Sequence, residues 1–295
     1  MRSKTLVWRS QLYVPANNPR FIAKAHTRGS DVIILDLEDS VPLGERDGAR
    51  QRLAQSIACV GQAGADVVVR INSPEDEAMY DLDVAIIAGV RGLFVSKVRD
   101  QAYIQAISRR VEELERERGL HSGEICLVVM IETAEAYLSA YHIACADPRI
   151  VALVLGGEDI ALDIGAVPDT DTLAMPKQHI AITARAAGLI PYGIIGTIAD
   201  YSDLRAVRQV AERSRKFGFE GAACVHPSVV PVLNAAFTPS KMEFDYALRV
   251  INAYREAEAQ GRGAASLDGK MVDVPVVRRA ANLIDRVRVI EERGA

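Results

Sequence analysis

The fold is decided by the stretch Val32-Ile33-Ile34-Leu35-Asp36-Leu37-Glu38-Asp39, in which an apolar, β-branched run ends abruptly in carboxylates. A continuous apolar run of this kind is typical of a strand that is covered on both faces of a parallel sheet. Seven similar runs occur along the chain at intervals of about thirty residues, and each ends in charged or otherwise reactive side chains. The eight predicted strands span residues 11–15, 32–37, 67–71, 92–98, 125–131, 151–155, 192–196 and 221–225.

Helical segments separate these strands, and we predict helices over residues 18–28, 45–60, 100–119, 133–146, 171–188, 202–217 and 228–236. Strict alternation of strands and helices predicts a parallel sheet with outer helices, and eight strands favour a closed TIM (β/α)8 barrel over a doubly wound sheet. No GxGxxG motif follows the first strand, which argues against a dinucleotide-binding domain. We therefore expect a barrel over residues 1–237.

The β/α pattern stops after the eighth unit, and residues 238–295 are predicted to form a C-terminal helical extension. Two helices are expected there, over residues 240–261 and 276–292. Between them, the pair Asp268-Gly269 predicts a hairpin turn.

Composition excludes several classes of protein. The chain has 295 residues, of which 49% are hydrophobic and 25% are charged, an ordinary balance for a globular enzyme. A net charge of −4 lacks the basic face that nucleic-acid binding requires. No run approaches eighteen apolar residues, the N-terminus has no signal-like apolar core, and the four cysteines form no CxxC pair. We expect a cytoplasmic protein with reduced thiols and no membrane or nucleic-acid partner.

Two carboxylates mark a candidate metal site. Glu132 ends the fifth predicted strand and Asp159 follows the sixth. Neighbouring strand ends in a barrel bring their side chains within reach of one cation. Two carboxylates without a nearby His or Cys pattern suit Mg2+, with Mn2+ as the alternative, because these ions accept oxygen ligands and keep open positions for water and substrate. Either carboxylate alone would equally suit a helix N-cap.

Arg70 ends the third strand, and a guanidinium at a barrel mouth is able to bind a carboxylate through two parallel hydrogen bonds. The alternative is an ion pair with the acidic cluster of Asp36, Glu38 and Asp39. The two interpretations are compatible if the acidic cluster orients the arginine. The turn Gly156-Gly157-Glu158-Asp159 offers backbone N–H groups that are suited to the same carboxylate.

Basic residues surround the first βα loop, where Arg20, Lys24 and Arg28 are spaced four apart and share one helix face. Such a face is either simply solvated or, beside the mouth of a barrel, binds a polyphosphate. His226 closes the eighth strand as a ligand contact or a helix cap. Spacing alone favours a turn or cap role for Asp273.

Six ordered motifs together resemble a known family across nearly the whole chain. They are Leu12-Tyr13-Val14-Pro15-Ala16-Asn17-Asn18, Ile34-Leu35-Asp36-Leu37-Glu38-Asp39-Ser40-Val41, Val69-Arg70-Ile71-Asn72, Met130-Ile131-Glu132-Thr133, Gly157-Glu158-Asp159-Ile160 and Asp268-Gly269-Lys270-Met271-Val272-Asp273-Val274-Pro275. This pattern is similar to that of the citrate lyase beta subunit and its relatives, the malyl-CoA, citramalyl-CoA and beta-methylmalyl-CoA lyases.

The resemblance implies a role for each marked position. Mg2+ would be held by Glu132 and Asp159, and the substrate carboxylate by Arg70 and the Gly157–Asp159 backbone, which includes Glu158. CoA contacts fall on Tyr13, Arg20, Lys24, Val225 and His226. The catalytic aspartate falls on Asp273, delivered by the C-terminal extension of a neighbouring subunit in a trimer or hexamer. This implication replaces the turn or cap role that spacing favours.

The activity implied by the resemblance is Mg2+-dependent cleavage of a 3-hydroxyacyl-CoA, such as citramalyl-CoA, malyl-CoA or citryl-CoA, to acetyl-CoA and a 2-keto acid. Two related alternatives are the beta subunit of a citrate lyase complex and a malyl-CoA thioesterase. A class II aldolase acting on free keto acids is disfavoured by the basic first loop and the long extension. A non-catalytic assembly subunit is disfavoured by the complete set of Arg70, Glu132, Asp159 and Asp273.

Overall fold

A computed structural model describes residues 6–197, 199 and 201–294. Within these residues, eight parallel strands form one sheet. They are β1 (Ser10–Pro15), β2 (Val32–Asp36), β3 (Asp66–Ile71), β4 (Gly92–Val95), β5 (Cys126–Ile131), β6 (Ile150–Leu155), β7 (Ile190–Tyr192) and β8 (Ala222–Cys224). Consecutive strands pair from β1 to β7, and β8 pairs with β1. The predicted TIM barrel is confirmed.

The shortest strands of the ring are the neighbours β7 and β8, which have three residues each. Two backbone hydrogen bonds join their flanks. The N–H of Gly193 donates to the carbonyl of Gly221 at 2.9 Å, and the N–H of Glu220 donates to the carbonyl of Pro191 at 3.1 Å. The barrel is therefore nearly closed, with a short seam at this point.

Helices surround the strands in the expected alternation. They are α1 (Pro19–Ala25), α2 (Arg46–Gly61), α3 (Glu75–Ala85), α4 (Gln101–Glu117), α5 (Ala134–Leu138), α6 (Ala140–Ala144), α7 (Gly157–Asp163), α8 (Thr170–Ala186), α9 (Leu204–Lys216) and α10 (Val230–Ala236). The single helix predicted over residues 133–146 is wrong, because the chain forms two short helices separated at Ser139. Sequence patterning also missed α3 and α7. The first is strongly acidic in its first turn, and the second is only seven residues long.

The strand ends opposite the polar mouth are held by a buried ion pair. Arg149 donates to both carboxylate oxygens of Glu115, at 2.8 and 2.7 Å. The same carboxylate accepts the N–H groups of Gly123 and Ile125 just before β5. These contacts belong to the framework of the barrel.

The C-terminal residues form a second compact unit that begins at Thr238 and includes Val7 near the N-terminus. Its elements are α11 (Lys241–Ala259), β9 (Ala265–Leu267), β10 (Lys270–Val272) and α12 (Val274–Gly294). β9 and β10 are antiparallel and turn at Asp268-Gly269, both with positive φ, so the predicted hairpin is confirmed. Val250, Val272 and Ile284 contribute to a separate apolar core in this unit.

Two further properties bear on the sequence expectations. All four cysteines are free thiols, and Cys145 is exposed at the end of α6. Among the described residues, no helix combines the length and the apolar character needed to cross a membrane.

Candidate active site

A cavity of about 420 Å3 opens at the C-terminal ends of the barrel strands. Its walls include nine of the residues that the sequence marked as functional, drawn from strands across the whole barrel. They are Tyr13, Asp36, Asp39, Arg70, Glu132, Gly157, Glu158, Asp159 and Val225. The structure thus brings the predicted carboxylate clamp, metal pair and acidic cluster into one site.

Arg70 occupies the centre of the acidic cluster and is 8% exposed. Its Nε and Nη2 donate to the two carboxylate oxygens of Asp36, both at 2.7 Å. Its Nη1 lies 3.1 Å from Glu38 and 3.2 Å from Asp39. The guanidinium also lies over the ring of Tyr13, with Cζ 5.0 Å from the ring centroid. The ion-pair interpretation of Arg70 therefore describes its geometry, and the arginine is fixed in orientation at the cavity wall.

The protonation of Asp36 follows from this arrangement. Burial alone would raise its pKa, but the hydrogen bonds and positive charge of Arg70 outweigh burial, and Ser40 adds a further hydrogen bond. The pKa of Asp36 is accordingly held below its ordinary value. The carboxylate stays ionised and keeps Arg70 in place.

Lys97 joins the acidic cluster, although sequence reasoning gave it no role. Its Nζ lies 3.0 Å from Glu38 and 2.9 Å from Asp39. Its backbone has a φ of 49°, a left-handed conformation that few non-glycine residues adopt. This conformation turns its N–H toward Glu132, to whose Oε2 it donates at 2.5 Å. No local pattern in the sequence indicates such a backbone.

Glu132 and Asp159 lie together at the ends of β5 and β6. Glu132 is 3% exposed, and burial, with the charges of Asp159 and Glu38, raises its pKa to about 8. Gly156 makes room for it, because an ideal Cβ there would lie 2.5 Å from Glu132 Cγ. Two adjacent carboxylates repel each other, and a divalent cation between them removes the repulsion.

This donor set fits Mg2+. Both candidate ligands are carboxylates, and among the described residues no group of three or more His, Cys, Asp and Glu side chains is placed to hold a metal. A magnesium ion commonly takes one or two carboxylates from the protein and completes its shell with water and substrate oxygens. The residues that would hold it are Glu132 and Asp159.

Lys177 of α8 is a second residue that sequence reasoning missed. It is 4% exposed, lines the cavity, and donates from Nζ to the carbonyl of Leu155 at 2.6 Å. Burial lowers its pKa to about 8, against the opposing charges of Glu158 and Glu132. Its spacing could have indicated that it is buried, because Leu173, Lys177 and Ile180 fall on the buried face of one helix.

The predicted CoA contacts do not form one group. Tyr13 and Val225 line the 420 Å3 cavity at the strand ends, here called the main cavity, whereas Arg20 and Lys24 lie exposed on α1. A second cavity, of about 480 Å3, has His226 in its wall together with Thr27, Arg28, Pro227, Ser228 and Pro231. The His226 ring stacks on Tyr201 with ring centroids 4.7 Å apart, and its Nδ1 lies 2.7 Å from Ser228 Oγ.

Asp273 lies in the second unit, between the hairpin and the start of α12. Its Oδ1 accepts the N–H of Val276 at 3.3 Å, and its carbonyl accepts the N–H of Val277 at 3.0 Å. These are the contacts of a helix N-cap. They leave a second carboxylate oxygen for other partners.

The chain is similar to known proteins in both sequence and structure. The sequence profile of the HpcH/HpaI aldolase/citrate lyase family matches residues 9–227. The chain is 31% identical over 280 residues to the citrate lyase subunit beta of Leuconostoc mesenteroides subsp. cremoris, covering 94% of this chain and 92% of that protein. It is 34% identical over 270 residues to a (3S)-malyl-CoA thioesterase of Cereibacter sphaeroides, covering 90% of each chain. The crystal structure of CitE from Mycobacterium tuberculosis in complex with magnesium, acetoacetate and coenzyme A has a TM-score of 0.77 and 27% identity, covering 96% of this chain and 99% of that one.

Proposed function

Because the chain belongs to the HpcH/HpaI aldolase/citrate lyase family, we propose that it is a Mg2+-dependent lyase that cleaves a 3-hydroxyacyl-CoA ester to acetyl-CoA and a 2-keto acid. The observation that carries the proposal is the placement of Glu132 and Asp159 in one cavity with Arg70. Citramalyl-CoA, malyl-CoA and citryl-CoA are the candidate substrates. They differ only in the group on the hydroxyl-bearing carbon.

Magnesium is the proposed cofactor, with Mn2+ as the alternative. The chemistry of the Glu132–Asp159 pair supports it, as does the magnesium in the related CitE structure. When bound, the metal supplies Lewis acidity to the hydroxyl and carboxylate oxygens of the substrate. Glu132, just after β5, and Asp159, in the first turn of α7, would hold it beside the carboxylate-binding groups.

Arg70 and the α7 turn are proposed to hold the substrate carboxylate. The Nε and both terminal nitrogens of Arg70 are already engaged by the acidic cluster, so its orientation is fixed before the substrate arrives. A guanidinium has five N–H donors, which leaves it able to bind a further acceptor. The first amides of α7, at Gly157–Asp159, have no helical acceptor of their own. Holding the carboxylate at both places would orient the bond to be broken.

Cleavage requires two proton movements. The 3-hydroxyl gives its proton to water, the electrons of the C2–C3 bond move onto the thioester as an enolate, and C3 becomes the keto carbon. The enolate carbon then takes a proton to give acetyl-CoA. We assign that proton transfer to Asp273 of a neighbouring subunit, acting as acid in cleavage and as base in condensation. Asp273→Asn is expected to abolish turnover while binding of the CoA ester persists, and unchanged activity would contradict the assignment.

A homo-oligomer, trimer or hexamer, is part of the proposal because the proposal assigns Asp273 to another copy of the chain. Support comes from the outer helices around β5 to β7, where several large apolar side chains are exposed. Leu138, Leu162 and Met175 are 84%, 82% and 68% exposed. Light scattering after size-exclusion chromatography is expected to give three or six times the mass of the chain. A monomer at micromolar concentration would contradict the proposal.

A thioesterase is the second candidate, favoured by the 34% identity to a (3S)-malyl-CoA thioesterase. Water would then replace CoA on the thioester carbon and leave the C2–C3 bond intact. One experiment separates the candidates: each of the three CoA esters is supplied with Mg2+ and the products are identified. Release of pyruvate, glyoxylate or oxaloacetate with acetyl-CoA supports the lyase and names its substrate. Free CoA without a keto acid identifies the thioesterase.

A further inference from the structure

One buried cation in the cavity wall has no role in the mechanism above. Lys177 is 4% exposed, and its Nζ has one hydrogen bond, to the carbonyl of Leu155 at 2.6 Å. Within the described residues, no carboxylate oxygen lies within the 4.0 Å of an ion pair with Nζ. The charges of Glu158 and Glu132 act on this ammonium only from beyond that distance, so it lacks the contacting counter-ion that a buried charge requires.

The hydrogen-bonding capacity of Lys177 is also incomplete. An ammonium has three N–H donors, and the carbonyl of Leu155 accepts one of them. Because Lys177 lines the main cavity, a ligand there is able to accept the others. A lysine that served only to hold Leu155 would not need to line this cavity.

The position of Nζ identifies which part of a ligand it would meet. Ideal Cβ atoms built on Gly157 and Gly193 would lie 3.5 and 3.9 Å from Nζ. The ammonium thus lies beside the α7 turn, between the ends of β6 and β7. Arg70 approaches the cavity from β3, on the other side of the barrel. An anion held at the α7 turn would lie between these two cations.

We propose that Lys177 is a substrate-binding residue whose ammonium donates a hydrogen bond to the carboxylate of the 2-keto acid. The identity of this ligand rests on the proposed function, whereas the anion-binding role rests on the burial and missing counter-ion of Lys177. The Leu155 hydrogen bond holds Nζ in position, and the ligand supplies the negative charge.

Calorimetric titration with pyruvate and with oxaloacetate, in MgCl2, tests the proposal without turnover. Lys177→Met is expected to weaken keto-acid binding about 10- to 100-fold, as for loss of a hydrogen bond to a charged group. Binding of CoA, which has no keto-acid carboxylate, should change less than about twofold. Lys177→Arg keeps the charge and should recover part of the affinity. Lys216→Met, an exposed lysine at the end of α9, is the matched control and should leave both affinities unchanged.

Equal keto-acid affinities for the wild type and a folded Lys177→Met variant would overturn the proposal. If that variant does not fold, a crystal structure of the wild-type protein with Mg2+ and pyruvate decides the matter. Nζ within hydrogen-bond distance of a pyruvate oxygen supports the proposal, and its absence from the pyruvate contacts overturns it. Failure to turn over any CoA ester would instead refute the proposed lyase, while Lys177-dependent anion binding would still stand.

Discussion

The two sides of the barrel mouth carry similar numbers of charged groups but differ in how those charges are compensated. On the β2–β4 side, here called the paired side, Asp36, Glu38 and Asp39 each lie within 3.2 Å of Arg70 or Lys97. On the β5–β7 side, here called the open side, the charged groups are Glu132, Glu158, Asp159 and Lys177. Within the part of the chain that the structure describes, none of those four has an ion-pair partner.

The two sides therefore differ in role: the paired side is arranged in advance, and the open side is left to bind ligands. Every carboxylate of the paired side has an ion-pair partner, so the geometry of this side is set before any ligand arrives. The open side has two adjacent carboxyl groups and a buried ammonium that have no ion-pair contact among the described residues. A cation and an anion would each find a preformed partner there, as in the proposed complex of Mg2+ with a keto acid.

The largest effect is expected on the open side. Glu132→Gln should lower turnover about 1000-fold, in line with the loss of an electrostatic group at a reaction centre. Stability without metal should not fall, because burial already disfavours the ionised form of Glu132 and the amide oxygen still accepts the Lys97 N–H. MgCl2 should raise the melting temperature of the wild type by mass action but not that of the variant. Glu135→Gln, an exposed carboxylate nearby, is the control. Equal stabilisation of both proteins by MgCl2 would remove Glu132 from the metal site.

A mixing experiment tests whether the open side is completed by another chain. Asp273→Asn and Glu132→Gln are each expected to be inactive alone. When they are mixed under conditions of subunit exchange, some sites combine an intact Glu132 with an intact Asp273 from a neighbour. Turnover should then recover to an appreciable fraction of the wild-type rate. No recovery, with exchange verified by mass spectrometry, would place Asp273 in the site of its own chain or outside the site.

Substitution of Arg70 on the paired side should lower stability as well as activity. Arg70→Met leaves the buried carboxylate of Asp36 without a counter-ion, and breaking such a pair typically costs about 3–5 kcal/mol. Arg149→Met provides the matched control, because it breaks the Arg149–Glu115 pair at the other end of the barrel. Urea unfolding should show a similar loss for both variants, while turnover per folded molecule falls only for Arg70→Met. Equal turnover in the two variants would show that Arg70 acts only on the framework.

The smallest effect concerns acid stability. Since Arg70 depresses the pKa of Asp36 in the folded protein, this carboxylate contributes stability above its ordinary pKa of 3.8. That contribution is lost as the pH falls through the depressed value. Unfolding free energies measured by urea from pH 6 to pH 2.5 should therefore decline more steeply for the wild type than for Asp36→Asn. Parallel curves would show that Asp36 is not coupled to folding in this way.

Much of the paired side was accessible from the sequence, because its carboxylates and Arg70 directly end apolar strands. The barrel followed from the same periodicity. Glu132 and Asp159 were singled out by the same rule, although their adjacency depended on the pairing of β5 with β6. The hairpin at Asp268-Gly269 was predictable because the turn residues themselves select that backbone.

The residues that the sequence did not indicate contribute through tertiary packing, backbone conformation or the lack of a side chain. A strand-end pattern indicates none of these. Lys177 comes from the middle of α8 and is brought to the cavity by tertiary packing. Lys97 contributes through an unusual φ, and Gly156 through the absence of a side chain. Helix α3 was missed because its acidic composition masks the apolar residues Ala78, Leu82 and Ala85 that it buries.

Lys97 belongs to both sides of the mouth, but through chemically independent groups. Its ammonium serves the acidic cluster, whereas its main-chain N–H serves Glu132. A substitution at position 97 can therefore remove the positive charge from the paired side while the main-chain N–H still donates to Glu132 on the open side. The new residue must tolerate the left-handed backbone. Asparagine and glycine meet that condition, and a β-branched residue does not. Position 97 thus gives sequence variation a way to retune the cluster while the carboxylate of Glu132 keeps its orientation.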